Sequence, residues 1–449
     1  MKRYPARLID RLALLLWDIA WHAGLPLVLL YLWHRGRKEP LYRQYMGERF
    51  GGGAAVPEGA IWIHGVSLGE MRAARPLVDA LLKRGEQVLI TNITAAGRAE
   101  TLKLFADAIK RGQLHVRWCP AEYAWAIRRF LGKHKPRFGM IMEIELWPRL
   151  IATCHAKGLP LVQAQAQYPD KSFARDSKGL QLRSHVVRAF DLIMAKSERH
   201  AERFRRLGAQ NVQVMGELRF EQPIPPAHLQ AAADLRAQIA PERPVFCLAS
   251  TAPDEDALLI PVLHNLLDAA AQAGKPRPFI VYVPRHPKDF AATGERLQEA
   301  GLNMLQRSTD LDDALSPKAP LPDDLDGLFG DSLGEINFYF ALSDRVFMGD
   351  SFNGEGSHNI IEPLSLGKPV AVGPSIWGIE YPALEALKAG VLTKVETPKE
   401  LIKHWSTVAG QPTGNRIKDF LCQHSGATKR AIRHMINAGL LNDTGRPDI

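Results

Sequence analysis

Apolar positions along this 449-residue chain change their spacing three times. The first pattern is one long run, Leu12 to Trp33, which reads LALLLWDIAWHAGLPLVLLYLW and holds only Asp18 and His22 as strongly polar residues. Its length is about the 20 residues that a bilayer-crossing helix needs. Asp18 near the middle, followed by Gly24 and Pro26, would be costly at a bilayer centre, so the pattern predicts a helix lying in the membrane interface. An ordinary buried helix is the alternative reading.

The second pattern begins near residue 60. The short apolar runs AIWIHGVS, QVLITNIT, FGMIMEIE, LPLVQAQA and DLIMAKS are each followed by ten or more residues of amphipathic, helix-like spacing. Strands alternating with helices in this way predict a parallel sheet covered by helices. The rhythm pauses after VQVMGELRF, in a segment rich in Pro and Ala, and residues 223–242 are expected to be a linker. It then resumes with VFCLAST, FIVYVPRHP, DGLFGDS, RVFMGDS and KPVAVGP. The expected order is an anchor with a basic juxtamembrane segment over 1–50, a doubly wound α/β domain over 51–222, the linker, and a second such domain over 243–449. A last helical stretch is expected from about Asn415 to Gly439.

Composition alters this outline in two ways. An apolar share of 46% with 23% charged residues fits globular domains, not a disordered chain. The net charge of +9 favours an anionic partner or surface. Basic residues flank the first apolar run on both sides, Arg7 and Arg11 before it and Arg35, Arg37, Lys38 and Arg43 after it. Trp17, Trp21, Tyr31 and Trp33 lie within it, as expected of a segment at the headgroup layer. The run lacks a small-residue cleavage site, so removal as a signal peptide is not expected. No zinc-finger, RNP-like or helix-turn-helix pattern is present, so nucleic acid is not an expected partner. Cys119, Cys154, Cys247 and Cys422 are too dispersed to suggest a disulfide framework or a zinc site, which points to the reducing cytosol.

Ligands of doubly wound sheets bind beyond the carboxyl ends of the strands, and polar motifs at those ends take the functional reading first. In IWIHGVSLGEMRAARPLV, Ser67, Gly69 and Glu70 stand where strand gives way to helix. Glu70 could simply offset the helix dipole; equally, it could take a proton from an attacking hydroxyl that Gly69 allows to come close. Glu143 and Glu145 in MEIELWPRL lie at another strand end, and backbone amides are expected to account for one of them. In the second half, Arg285 and His286 of PRHP suit a phosphate clamp. FMGDSFNGEGSHNIIEPL, with Gly349, Asp350 and Ser351 at its start, is expected to cradle an anion with loop amides and a helix N-terminus. Asn359 could cap that helix while Glu362 receives sugar hydroxyls; both could instead be capping residues only.

Taken in order, HGVSLGE (64–70), EIELWP (143–148), GELRF (216–220), Ser250-Thr251, PRHP (284–287), GDSLGE (330–335), FMGDS (347–351) and GSHNIIEP (356–363) resemble the motifs of bacterial 3-deoxy-D-manno-octulosonic acid (Kdo) transferases. The resemblance runs over nearly the whole chain, the N-terminal apolar segment and YRQYMGERFG included. It implies a GT-B glycosyltransferase with two Rossmann-like domains and a membrane anchor, acting at the cytoplasmic face of the inner membrane in lipopolysaccharide synthesis. The implied reaction is inverting, metal-independent and cofactor-free, moving Kdo from CMP-Kdo to a lipid A precursor. By resemblance Glu70 is the general base, and Arg219, Ser250, Thr251, Arg285, His286, Gly349, Asp350, Ser351, Asn359 and Glu362 belong to the donor side.

Several positions depart from the family pattern. Gln165 to Pro169 replace the usual N-A-R-L-S, Arg219 replaces a Lys, Ala252 a His, Asp350 the second Gly of F-x-G-G-S, and Gly378-Ile379 an Asn-Phe. Asp350 puts a negative charge where a phosphate is expected. A divergent relative acting on another acid sugar or glycan, or an epimerase-like protein of the same fold using a UDP-sugar, is therefore the alternative expectation.

Overall fold

The computed structural model describes residues 4–354, 356–406 and 411–443. The chain divides into two compact units, Met1–Gln222 with Ser425–Ile449, and Pro223–His424.

The first unit is built on a seven-stranded, all-parallel sheet. Its strands are β1 Ile61–His64, β2 Val88–Asn92, β3 Leu114–Trp118, β4 Gly139–Met142, β5 Leu161–Ala166, β6 Leu192–Ala195 and β7 Val212–Val214. They lie in the order β3-β2-β1-β4-β5-β6-β7. β1, β2 and β4 are buried along their whole length, which is why each opens as an apolar run, with His64, Thr91 and Asn92 as the buried polar residues at the ends of β1 and β2. β3 was not anticipated. It is an edge strand whose burial alternates along LHVRW, so it lacks the continuous apolar signature of its neighbours. Two apolar cores cover the sheet, one holding Trp62, Ile127, Phe130 and Ile151 and the other Ile63, Met71, Leu77 and Phe105.

The second unit repeats this plan. Strands β8 Val245–Thr251, β9 Phe279–Pro284, β10 Met304–Gln306, β11 Gly327–Phe329, β12 Arg345–Met348, β13 Val370–Val372 and β14 Leu392–Lys394 form one parallel sheet. Their order is β10-β11-β9-β8-β12-β13-β14. β10 and β14, again at the edges, are three residues long and escaped the apolar pattern.

Two expected boundaries differ. The segment expected to be a linker contains a 14-residue helix, Pro226–Ile239, which buries Ala232, Leu235 and Ile239. Of the prolines that suggested a linker, Pro225 caps this helix and Pro226 is its first residue, where a missing N–H and a fixed φ cost nothing, and Pro241 follows its end. Arg236 ties this helix to the second unit through the carbonyl of Leu342 (2.9 Å) and the carboxylate of Asp344 (2.9 Å). The last helical stretch is two helices, Gln411–His424 and Ala427–Asn437, separated by Gly426 at φ 86°. The second of them places Ala427, Ala431, Ile432 and Met435 in a core of the first unit, so the second domain does not extend to the C-terminus.

Before β1 runs α1, Leu8–Lys38. Among the described residues it is the one helix long and apolar enough to cross a membrane. It lies along the surface of the first unit on one helical stripe. Asp10 meets His185 (3.3 Å), and Trp17 donates to the Glu122 carboxylate (2.9 Å). Asp18 accepts from Arg149 Nε (2.6 Å), and the carbonyl of Trp21 accepts from the Tyr123 hydroxyl (2.9 Å). Leu14 and Leu32 are buried, whereas Leu8, Leu12, Leu15, Leu16, Ile19, Leu27 and Leu30 on the remaining surface are exposed. Asp18, costly in lipid, is thus neutralised by the protein.

Candidate active site

β1 ends at His64, and the chain turns through Gly65–Ser67 into α2, Leu68–Lys83. Glu70 occupies the third position of α2 and forms a reciprocal cap with Ser67. Its carboxylate accepts the Val66 N–H (2.9 Å), the Ser67 N–H (3.2 Å) and the Ser67 hydroxyl (2.9 Å). The helix N-terminus after β2 packs against the same turn: Thr94 Oγ1 donates to the Val66 carbonyl (2.8 Å), and a Cβ on Gly97 would stand 2.7 Å from that oxygen. Gly97 therefore lets two helix starts close on each other and hold the Glu70 turn. Next to Glu70, a Cβ on Gly69 would stand 4.0 Å from the Ser67 hydroxyl, an ordinary contact.

Glu70 is 8% exposed, and its pKa is pushed up to about 7. Burial is the main cause; the negative charges of Glu143 and Glu145 add to it, against the lowering effect of the Val66 amide and the Ser67 hydroxyl. The cap and a raised pKa thus coexist in one side chain. Both oxygens are hydrogen-bonded, yet each carboxylate oxygen has two lone-pair directions.

Glu143 follows β4, the neighbour of β1, and takes the left-handed conformation at φ 55°. Its carboxylate meets Lys196 Nζ (3.4 Å) and Arg219 (3.1 Å), and Glu217 meets the same two cations at 3.2 and 3.4 Å. Burial alone would raise the Glu143 pKa; Lys196 and Arg219 outweigh it and keep the group below the ordinary carboxylate range. For Glu145, burial prevails and the pKa rises. Expectation had Glu143 or Glu145 satisfied by backbone amides, but side-chain cations satisfy Glu143. Arg219, expected with the donor-side residues, lies in the first unit beside Glu143. Lys196 and Glu217 were not singled out in the sequence, because nothing local pairs Lys196, after β6, with a carboxylate after β4. Gln165, one of the departing positions, donates to the Gly216 carbonyl (2.8 Å) and accepts the Leu218 amide (3.3 Å), pinning the loop that carries Arg219.

In the second unit, β8 bulges at Ser250 (φ 58°), and Thr251, at the strand end, is buried. β12 ends in the loop Gly349–Phe352. Its amides do not serve as an open anion cradle. Gly349 N–H donates to Ala249, and the amides of Asp350, Ser351 and Phe352 donate to the Glu255 carboxylate at 2.5, 2.8 and 2.9 Å. Ala252 supplies a fourth amide to Glu255 (3.1 Å). A Cβ on Gly349 would lie 2.8 Å from a Glu255 oxygen and 2.7 Å from Thr251 Cα, so packing demands this glycine. Ser351 is fully buried; its hydroxyl donates to the Met348 carbonyl (2.9 Å) and accepts from the Gly373 amide (2.8 Å), joining the ends of β12 and β13. Glu255 was missed, although its place three residues after Ala252 has the spacing of a capping box.

Asp350 sits at φ 59°, a conformation that glycine adopts freely and Asp tolerates better than most residues. That explains how Asp can stand where the resembling family has Gly. Its carboxylate accepts from His358 Nε2 (3.0 Å) and Asn353 Nδ2 (2.5 Å). His358 is held at a pKa of about 4, chiefly by burial and then by the nearby positive charge of Arg285, so this contact is a hydrogen bond from a neutral ring. Arg285 feels the charges of Asp350 and Glu362, and its guanidinium makes no hydrogen bond among the described residues. His286, beside it, is exposed. Asn359 Oδ1 accepts the Ile361 amide (3.0 Å). The helix it starts, Ile361–Ser365, has five residues, too short for the expected helix-dipole anion site. The structure thus gathers Arg285, His286, Asp350, His358 and Glu362 into one charged cluster and withdraws Gly349 and Ser351 into packing.

Residues 44–222 match the family described as Glycos_transf_N, 3-Deoxy-D-manno-octulosonic-acid transferase (kdotransferase). A 3-deoxy-D-manno-octulosonic acid transferase of Bordetella pertussis is 36% identical over 91% of this chain and 95% of its own length. The chain belongs to the Kdo transferase family. A second Kdo transferase, from Haemophilus influenzae, is 30% identical over 78% of this chain and 79% of that one. Among solved structures, a glycosyltransferase of Rickettsia africae covers 86% of this chain and all of its own, with a TM-score of 0.56 at 13% identity. A UDP-GlcNAc 2-epimerase from Neisseria meningitidis gives the same score at 14% identity, over 84% of this chain and all of its own. The fold is the two-domain GT-B arrangement of parallel-sheet units expected from the sequence. In this Kdo transferase family member the described geometry separates Arg285, whose guanidinium makes no hydrogen bond among the described residues, from Ser351 and Gly349, which build the frame.

Proposed function

We propose that this chain transfers Kdo from CMP-Kdo to the lipid A precursor lipid IVA. The observation that carries the reading is Glu70, a buried carboxylate at a strand mouth with a pKa pushed up to about 7, beside the glycine Gly69, where an added Cβ would meet only the Ser67 hydroxyl at 4.0 Å. A base is most useful when its pKa lies near the working pH. Glu70 takes the proton of an acceptor sugar hydroxyl as that oxygen attacks the anomeric carbon of Kdo. Attack comes from the face opposite the nucleotide, so the configuration inverts. The bond to CMP breaks with its electron pair passing to the phosphate oxygen. Arg285, with His286 beside it, stabilises the departing CMP phosphate by charge-assisted hydrogen bonds, and this cationic site supports a metal-independent reaction.

α1 holds the enzyme at the cytoplasmic face of the inner membrane. Its docked stripe and its exposed leucines support a helix lying in the interface plane, where the lipid-linked acceptor also resides. Deleting residues 1–34 is expected to move the protein from the membrane to the soluble fraction.

The donor is tested by incubating the purified enzyme and lipid IVA with CMP-Kdo or UDP-GlcNAc, with and without EDTA. Mass spectrometry is expected to show Kdo-sized additions to lipid IVA from CMP-Kdo alone, undiminished by EDTA. Turnover of UDP-GlcNAc instead would overturn the reading in favour of epimerase-like chemistry.

A further inference from the structure

At the N-terminal end of α1 a groove of about 400 Å³ opens between that helix and the helix Pro148–Ala156. Tyr4, Leu14 and Ala156 give it apolar lining, and Arg128 and Lys157 also line it. The carboxylates around this end of α1 are already engaged: Asp10 with Arg7, Asp18 with Arg149, and Glu122 with Trp17 and the amides of Arg149 and Leu150. Arg128 and Lys157 are exposed, and neither side chain has a hydrogen-bond or ionic partner among the described residues. The groove therefore joins apolar walls to two uncompensated cations, and it adjoins the exposed leucine stripe of α1.

We infer that this groove binds the headgroup phosphate of an anionic membrane phospholipid, with the glycerol and upper acyl chain against Tyr4, Leu14 and Ala156. The inference rests on the interfacial placement of α1 proposed above. It adds a lipid preference that an apolar helix alone lacks, because leucine side chains do not distinguish anionic from neutral headgroups. Each basic side chain at an anionic surface contributes about fivefold in partitioning, so the pair supplies on the order of twentyfold.

Full-length protein is tested by flotation with vesicles of pure phosphatidylcholine and of phosphatidylcholine with phosphatidylglycerol. The wild type is expected to bind both and to prefer the anionic ones. R128Q/K157Q is expected to keep its binding to neutral vesicles and lose most of the preference, by about tenfold or more. Two further variants separate a groove from general surface charge. K103Q/K110Q removes two exposed cations from the segment around Phe105, which packs in the other core of the unit, and is expected to change nothing. Ala156→Trp, which fills the groove without removing charge, is expected to lower the preference. Equal losses in the two double variants, or an unaffected Ala156→Trp, overturn the groove. Failure of the wild type to float with any vesicle overturns the interfacial placement of α1 and the groove with it, whereas flotation without groove effects leaves α1 standing.

Discussion

A carboxylate that caps a helix start gains from being charged, and its pKa falls; one that accepts a proton near neutrality needs the opposite shift. At Glu70 the second tendency wins because burial and the charges of Glu143 and Glu145 outweigh two backbone amides and a serine hydroxyl. The sign follows for the reaction. Below about pH 7 Glu70 is increasingly protonated and cannot act as a base, so log kcat/KM is expected to rise with pH and level off above that value. Glu143→Gln removes a neighbouring negative charge, lowers the Glu70 pKa, and is expected to move the rising limb to lower pH. A limb that stays in place would mean that Glu143 does not act on the base. The motif HGVSLGE made Glu70 and Ser67 legible in the sequence, since their cap is local. The ion pairs of Lys196, Glu217 and Arg219 around Glu143 were not, because they join the ends of β4, β6 and β7, which only the fold brings together.

At the scale of elements, long-buried strands were legible and edge strands were not. β1, β2 and β4 are buried throughout and begin as apolar runs, whereas β3, β10 and β14 are edge strands, alternating or very short. The loop after β12 was legible as special through its glycines and polar residues, but the convergence of its amides on Glu255 was not. Four amides on one buried carboxylate make this residue the keystone of the loop. Glu255→Ala is expected to lower the stability of the second unit by on the order of 3–5 kcal/mol, since it orphans several buried donors. Chemical denaturation followed by fluorescence checks this; a loss under about 1 kcal/mol would show that water satisfies those amides as well.

At the scale of the whole molecule, the alternation of strand and helix was enough to predict two parallel-sheet domains, because each βαβ step is local. The return of the last helix to the first unit was not legible. Its apolar positions would suit a core in either domain, and Gly426, which breaks the stretch, carries no information about the partner. Ending the chain after His424 removes Ala427, Ala431, Ile432 and Met435 from the first unit's core. The first unit is then expected to lose on the order of 3–6 kcal/mol, with the second unit unaffected. Calorimetry should show two transitions, with only one moving; a shift in both would mean that the two units unfold together.

The most direct test of the central claim, that Glu70 is the base for Kdo transfer, is CMP release from CMP-Kdo in the presence of tetraacyldisaccharide bisphosphate. The wild type should release CMP only with acceptor present, and folded Glu70→Ala should be at least a hundredfold slower, the lower end of what a general base contributes (about 10²). Release by Glu70→Ala at the wild-type rate, or no release by the wild type, would contradict the account.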